Sequence, residues 1–109
     1  QGGMGMAASG NIGDHHAFFE PVHGSAPKHA GQNKVNPIAS INSVQMMLDW
    51  LARRSNDDGL LNVANILDQS VAEHLKDGTS LTYDLGGTAS CTDVGTSIAN
   101  RLASHLKEF

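Results

Sequence analysis

The stretch FEPVHGSAPKHAGQNKVNP, residues 19–37, decides how this chain is read. It places a His-Gly-Ser-Ala-Pro loop, a Lys-His pair and an Asn-Pro within less than a fifth of the sequence. Gly24 lets a ligand approach the backbone closely. The successive amides of Gly24, Ser25 and Ala26 are able to form a nest of donors for a phosphate. Lys28 supplies a fixed positive charge and His29 a further donor. His23 offers a flat ring on which a base can stack. The carboxamide of Asn36 carries a donor and an acceptor, the pair an adenine edge requires. On composition alone the segment is either a nucleotide-binding loop or a turn-rich connector, and loops set on rigid elements often carry function.

The flanking sequence supplies those rigid elements. AFFEPV, residues 17–22, reads as a short buried strand. Residues 24–31 are too rich in glycine for regular structure, and residues 1–16 read as loop. Asn36 and Pro37 suit the start of a helix, asparagine as the cap and proline in the first turn. Ile38, Ile41, Val44, Leu48 and Leu51 then recur at helical spacing. Met46, Met47 and Trp50 widen that stripe, which predicts a helix buried on most sides. RRSNDDG, residues 53–59, ends it. A second helix is predicted over about residues 60–76, with Leu60, Ala64, Leu67, Val71 and Leu75 on one face. Asp57 or Asp58 caps its start, and Gly78 suits the left-handed turn past its end. SLTYDLGG, residues 80–87, reads as a short extended piece. A third helix, capped by Thr92 or Asp93, carries Val94, Ile98, Leu102 and Leu106 along one side. Three amphipathic helices with so little strand leave apolar faces in need of a partner, which points to a missing sheet.

With 109 residues, the chain is long enough for one modest core and shows no internal domain boundary. The hydrophobic share of 39% and charged share of 17% are those of a globular chain rather than a disordered one. A net charge of −4 gives no general field for nucleic acid or an anionic membrane, so an anion site must be built locally. No apolar run approaches the length of a bilayer span. The lone Cys91 excludes an internal disulfide and fits a reducing compartment, the cytoplasm or equally the mitochondrial matrix. The opening QGGMGMAASGNIGDHH, without an initiator Met, reads as a cut through a longer chain.

Other motifs are weaker. GGMGMA, residues 2–7, superficially resembles a dinucleotide fingerprint. That motif needs a preceding strand and a helix opening at its end, and Ser9, Gly10, Asn11 and Gly13 oppose a helix. His15, His16, His23 and His29 invite a zinc reading, but neither cysteine nor a paired helical spacing accompanies them. Cys91 has no neighbouring base, and Ser25 lacks the G-x-S-x-G context of a hydrolase nucleophile.

GGMGMAASGNIGD, the long segment of residues 19–37, the MML of the first helix and TYDLGGTAS occur in the order found in the β-decarboxylating dehydrogenases. The chain therefore resembles the C-terminal part of that family, which includes isocitrate, isopropylmalate, homoisocitrate and tartrate dehydrogenases. The resemblance implies an α/β, non-Rossmann fold, here a fragment of the large cofactor-binding domain with three helices, short strands and a nucleotide-binding loop. It implies that His23 packs against adenosine, that Gly24, Ser25 and Ala26 cradle the phosphates, and that Asn36 reads adenine. Asn11 to Asp14 resemble the loop approaching the nicotinamide.

Lys28, where NAD-using relatives carry an aspartate, together with His29 and Tyr83, implies NADP before NAD. Against this, Gly87 stands where the NADP-type pattern has an arginine, and DLGGTAS resembles the NAD-using branch. The implied reaction is oxidation of a 2-hydroxy acid, isocitrate first, with loss of CO₂. Mg²⁺ or Mn²⁺ would be held by residues outside this chain, and the catalytic groups also lie elsewhere, so the isolated chain is expected to be inactive. A homodimer is expected for the full-length protein. An isopropylmalate dehydrogenase and a nucleotide-binding regulatory subunit are the alternatives.

Overall fold

The computed structural model describes residues 5–107. Strands β1 (Ala8–Ile12) and β2 (Ala17–Pro21) form an antiparallel hairpin, followed by helices α1 (Ile38–Ser55), α2 (Asp58–Asp77) and α3 (Cys91–Leu106). Short 3₁₀ turns occupy Pro27–His29 and Tyr83–Leu85. The fold is thus a small α/β unit of three helices and two strands.

The first strand corrects the expectation of a loop through residue 16. Ser9, Gly10 and Asn11 have little strand preference of their own. They are extended because β2 pairs with them, with Gly10 opposite Phe19. A Cβ on Gly10 would come within 3.1 Å of the Phe19 ring. That ring continues onto Trp50 of α1, with centroids 6.2 Å apart. Glycine here makes room for the aromatic packing that joins hairpin to helix.

The helices begin and end on local signals. Helix α1 stops at Asn56, which is left-handed and donates its amide to the Ala52 and Arg53 carbonyls. Asp57 caps α2 by accepting from the Leu60 amide at 3.0 Å. Gly78, at φ 70°, closes α2 onto the His74 carbonyl. The cap of α3 is Ser90, not Thr92 or Asp93. Ser90 Oγ accepts from the Asp93 amide and the Asp93 carboxylate accepts from the Ser90 amide, a reciprocal capping box. The Ser90 amide, and next the Ser90 hydroxyl, hold the Asp93 carboxyl below the usual carboxylate range. The expected extended piece at residues 80–87 is instead a closed turn containing the second 3₁₀ segment.

The core lies where α2 packs between α1 and α3. Ile38, Leu67, Val71, Val94 and Ile98 are buried there, with Ile41, Leu48, Leu75 and Leu102 packed around them. The predicted inner faces of α2 and α3 supply most of it. Helix α1 departs from expectation: Val44 is 47% exposed, and Met47 and Leu51 are also exposed beside Phe18 at 58%. Among the described residues nothing covers this face, so α1 packs against α2 and the hairpin but leaves this strip open. No helix is long and apolar enough to cross a membrane among the described residues.

Candidate functional site

The open end of the hairpin delivers the loop. Val22 donates its amide to the Ala7 carbonyl at 3.0 Å, which fixes where residue 23 emerges. His23 then donates from Nδ1 to the Gly24 carbonyl at 2.7 Å. Among the described residues, no group accepts from the amides of Gly24, Ser25 or Ala26. Ala26 adopts a left-handed conformation (φ 49°, ψ 60°), unusual and strained for a residue with a Cβ. Pro27 begins the 3₁₀ turn that follows, and the His29 amide closes it onto the Ala26 carbonyl. The loop therefore presents three successive donors without acceptors among the described residues, ahead of a left-handed residue, which are ingredients of an anion nest.

These residues border an open pocket of ≈ 390 Å³, within the roughly 300–1,000 Å³ range of small-molecule sites. Its lining is His23, Gly24, Ser25 and Ala26, together with His29, Tyr83 and Asp84, and Val35 and Asn36 beside Gly5. Tyr83 and His29 share a hydrogen bond of 3.1 Å, with ring centroids 5.5 Å apart. The structure thus gathers seven of the expected residues: His23, Gly24, Ser25, Ala26, His29, Asn36 and Tyr83.

Three others lie elsewhere. Lys28 sits exposed in the Pro27–His29 turn and does not line the pocket. Asn11 is the penultimate residue of β1 and Asp14 lies at the hairpin tip, both exposed. They stand about five residues along the hairpin from the pocket, roughly 15 Å at ~3.3 Å per strand residue. GGMGMA falls partly on residues 1–4, outside the described residues; from Gly5 onward it forms a turn into β1 rather than a helix.

Asn36 is 7% exposed and its carboxamide is engaged. Oδ1 accepts from the Ile38 amide at 2.9 Å, so Asn36 caps α1 from one position further out than expected, with Pro37 between. Nδ2 donates to Asp84 Oδ2 at 3.1 Å. Each polar atom of the carboxamide thus has one protein partner and keeps one further N–H or lone pair. Among the described groups, its backbone N–H and C=O have no partner.

Asp84 was not among the expected site residues, yet it organises the pocket. One carboxylate oxygen accepts from Asn36 and the other from the buried Thr82 hydroxyl. No local pattern marks this role, because Asn36 and Asp84 lie 48 residues apart in sequence. Asn33 was also missed. At φ 53°, its Oδ1 accepts from the Thr92 amide and hydroxyl, and its carbonyl accepts from the Cys91 amide. The loop is thereby stitched to the start of α3. A left-handed asparagine is a turn signal, but its partner could not be read from it. Among the described residues no group of three His, Cys, Asp or Glu side chains converges to hold a metal ion.

A loop with amides that lack protein acceptors among the described residues, beside His29, Tyr83 and Asp84, is carried on a hairpin and a capped helix in a small α/β unit. The model of the isocitrate/isopropylmalate dehydrogenase family matches residues 1–98. A homoisocitrate dehydrogenase of Methanocaldococcus jannaschii is 40% identical over 99% of this chain and 29% of its own length. A 3-isopropylmalate dehydrogenase of Thermobifida fusca is 47% identical over 94% of this chain and 27% of its own. A β-decarboxylating dehydrogenase of Thermococcus kodakarensis superposes with TM-score 0.84 at 40% identity, over 97% of this chain and 29% of that one. The chain belongs to the isocitrate/isopropylmalate dehydrogenase family, and it spans less than a third of the length of these relatives.

Proposed function

We propose that this chain forms the adenosine-binding part of an NAD(P)-dependent oxidative decarboxylase of a 2-hydroxy acid, and belongs to the C-terminal part of its large domain. The observation that carries this is the run of unpaired amides at Gly24, Ser25 and Ala26, held open by the left-handed Ala26. Oriented backbone donors suit the diphosphate. His23 borders the same pocket with a ring free to stack on adenine. The Asn36 backbone N–H and C=O, without partners among the described residues, supply a donor–acceptor pair for the adenine edge.

The dinucleotide, when bound, accepts a hydride from the substrate carbon. This chain's own residues bind and orient the cofactor and do not touch the reacting atoms. Mg²⁺ or Mn²⁺, in this reading, is held by residues outside this chain. The chain alone is expected to be inactive. The exposed apolar face of Phe18, Val44, Met47 and Leu51 fits burial against the remainder of a longer chain, in a full-length protein that is a homodimer. The free Cys91 accords with the cytoplasm or the mitochondrial matrix.

NADP is favoured over NAD because Lys28 lies on the turn that carries His29, and His29 is tied to Tyr83. Isocitrate is the first substrate, giving 2-oxoglutarate and CO₂. The 47% identity to a 3-isopropylmalate dehydrogenase favours isopropylmalate as the second reading. Assay of the full-length protein with each acid and each cofactor tests both. Turnover of isocitrate with NADP is expected. Turnover of isopropylmalate alone would select the second reading. Binding of nucleotide without turnover of either acid would point to a regulatory subunit, and failure to bind either dinucleotide would end the proposal.

A further inference from the structure

The turn after Tyr83 has no room for a cation. Gly87 donates its amide to the Thr82 carbonyl at 3.0 Å, and Ala89 donates to the Leu81 carbonyl at 2.9 Å. A Cβ at Gly87 would fall 1.9 Å from the Leu81 carbonyl oxygen. Any side chain there would force the turn apart, so no arginine can be accommodated at this position without rebuilding it. A site that grips a phosphate beside Tyr83 must draw its charge from another segment.

Lys34 is placed to provide it. Its Nζ lies over the Tyr83 ring, 5.2 Å from the centroid, while His29 holds the hydroxyl of the same ring. Lys34 follows Asn33 directly. The left-handed backbone of Asn33 and its bonds to Cys91 and Thr92 fix where the lysine stem leaves the loop. Among the described residues no carboxylate forms an ion pair with Lys34. The nearby Asp84 carboxylate is already occupied on both oxygens, by Asn36 and Thr82. An ammonium group resting on an aromatic face is held loosely and gains by moving to a doubly charged phosphate monoester.

We infer that Lys34 is a specificity-determining residue, the cation that recognises the ribose 2′-phosphate distinguishing NADP from NAD. It rests on the nucleotide site proposed above and adds a residue that the sequence pattern alone did not single out. Tyr83 serves as the parking surface for the ammonium, and His29 holds the Tyr83 hydroxyl in place.

The test uses full-length protein and its Lys34→Gln and Lys34→Arg variants, with kcat/KM measured for both cofactors. Adenosine 2′,5′-bisphosphate and 5′-AMP serve as competing probes. Lys34→Gln is expected to lower the NADP/NAD efficiency ratio about fivefold. KM for NAD and for the acid substrate should not move, which also shows that the variant is folded. Lys34→Arg should keep most of the ratio, and the glutamine variant should weaken the bisphosphate but not 5′-AMP. If the wild type prefers NADP and Lys34→Gln leaves the ratio unchanged, the role of Lys34 is overturned while the nucleotide site stands. A wild type that binds NAD and 5′-AMP but gains nothing from the extra phosphate also overturns it and leaves the site intact. Failure to bind any of the four probes ends both.

Discussion

The helical core and the loop that borders the pocket are held together in different ways. The core is a packing of Ile38, Leu67, Val71, Val94 and Ile98, each on a helix whose start and stop are set by neighbours in sequence. The loop buries little apolar surface. Its shape comes from a few polar contacts between distant segments: Asn36 to Asp84, Asn33 to Cys91 and Thr92, His29 to Tyr83. Packing is distributed, so its loss is spread over many atoms. A directional hydrogen bond is all or nothing, and breaking it strands a polar group. Stability should therefore respond most to the core and cofactor affinity most to the loop.

The largest expected effect is on the core side. Ile98→Ala removes buried methyl groups and leaves a cavity, at a cost of about 3 kcal/mol. The thermal midpoint of the full-length protein should fall while KM for the cofactor stays near wild type. A large rise in that KM would break the separation between the two regions. On the loop side, Asp84→Ala leaves the Asn36 amide and the Thr82 hydroxyl without their acceptor, worth about 1–3 kcal/mol. Here KM for the dinucleotide should rise about tenfold with KM for the acid unchanged. Equal effects on both constants would mean that Asp84 supports the whole unit rather than the pocket.

The same division explains what the sequence could and could not reveal. Helices α1 to α3 were legible because periodicity and caps are local: Asp57 for α2 and Gly78 past its end stand where their neighbours demand. The loop was legible in kind, since His23 to Ala26, His29 and Asn36 do border one pocket with Tyr83. Strand β1 was not legible, because Ser9-Gly10-Asn11 is extended only in the presence of β2 and the Phe19 ring. Asn36 was half read: it caps α1, and its amide also donates to Asp84, a partner 48 residues away that no local pattern announces. Lys34 carried no signal, because its placement depends on the Asn33 clamp to α3.

Lys28→Asp sharpens the comparison at smaller scale. Lys28 is exposed, so an ion contact there is worth no more than about 1 kcal/mol. The NADP/NAD efficiency ratio should still fall by about fivefold or more, because the new carboxylate also repels a 2′-phosphate. The thermal midpoint should not change. An unmoved cofactor ratio would remove Lys28 from the account and leave Lys34 and His29 to carry the preference.

The smallest effect at neutral pH belongs to the core side, at its one deeply buried ionisable group. His74 is 1% exposed. Its Nδ1 pairs with Ser97 Oγ at 2.9 Å, and Nε2 is enclosed without a partner at bonding distance. Burial lowers its pKa below the ordinary 6.5, and the Arg101 guanidinium pushes the same way; Asp77 and the Ser80 backbone oppose them. The folded state thus binds a proton less readily than the unfolded chain. The contribution is fully present above pH 6.5 and is lost as pH falls from there through the lower folded pKa. One proton limits the slope to roughly 1.4 kcal/mol per pH unit. The carboxylates Glu73 and Asp93, also held low, lose their contributions in a more acidic range, below 4.5 and 3.8. Urea unfolding between pH 7.5 and 5 should therefore show stability falling with acidification in wild type and a flatter profile in His74→Gln. Identical slopes would mean that the ring takes up its proton in the folded state at no cost, and that the seam between α2 and α3 is looser than the rest of the core.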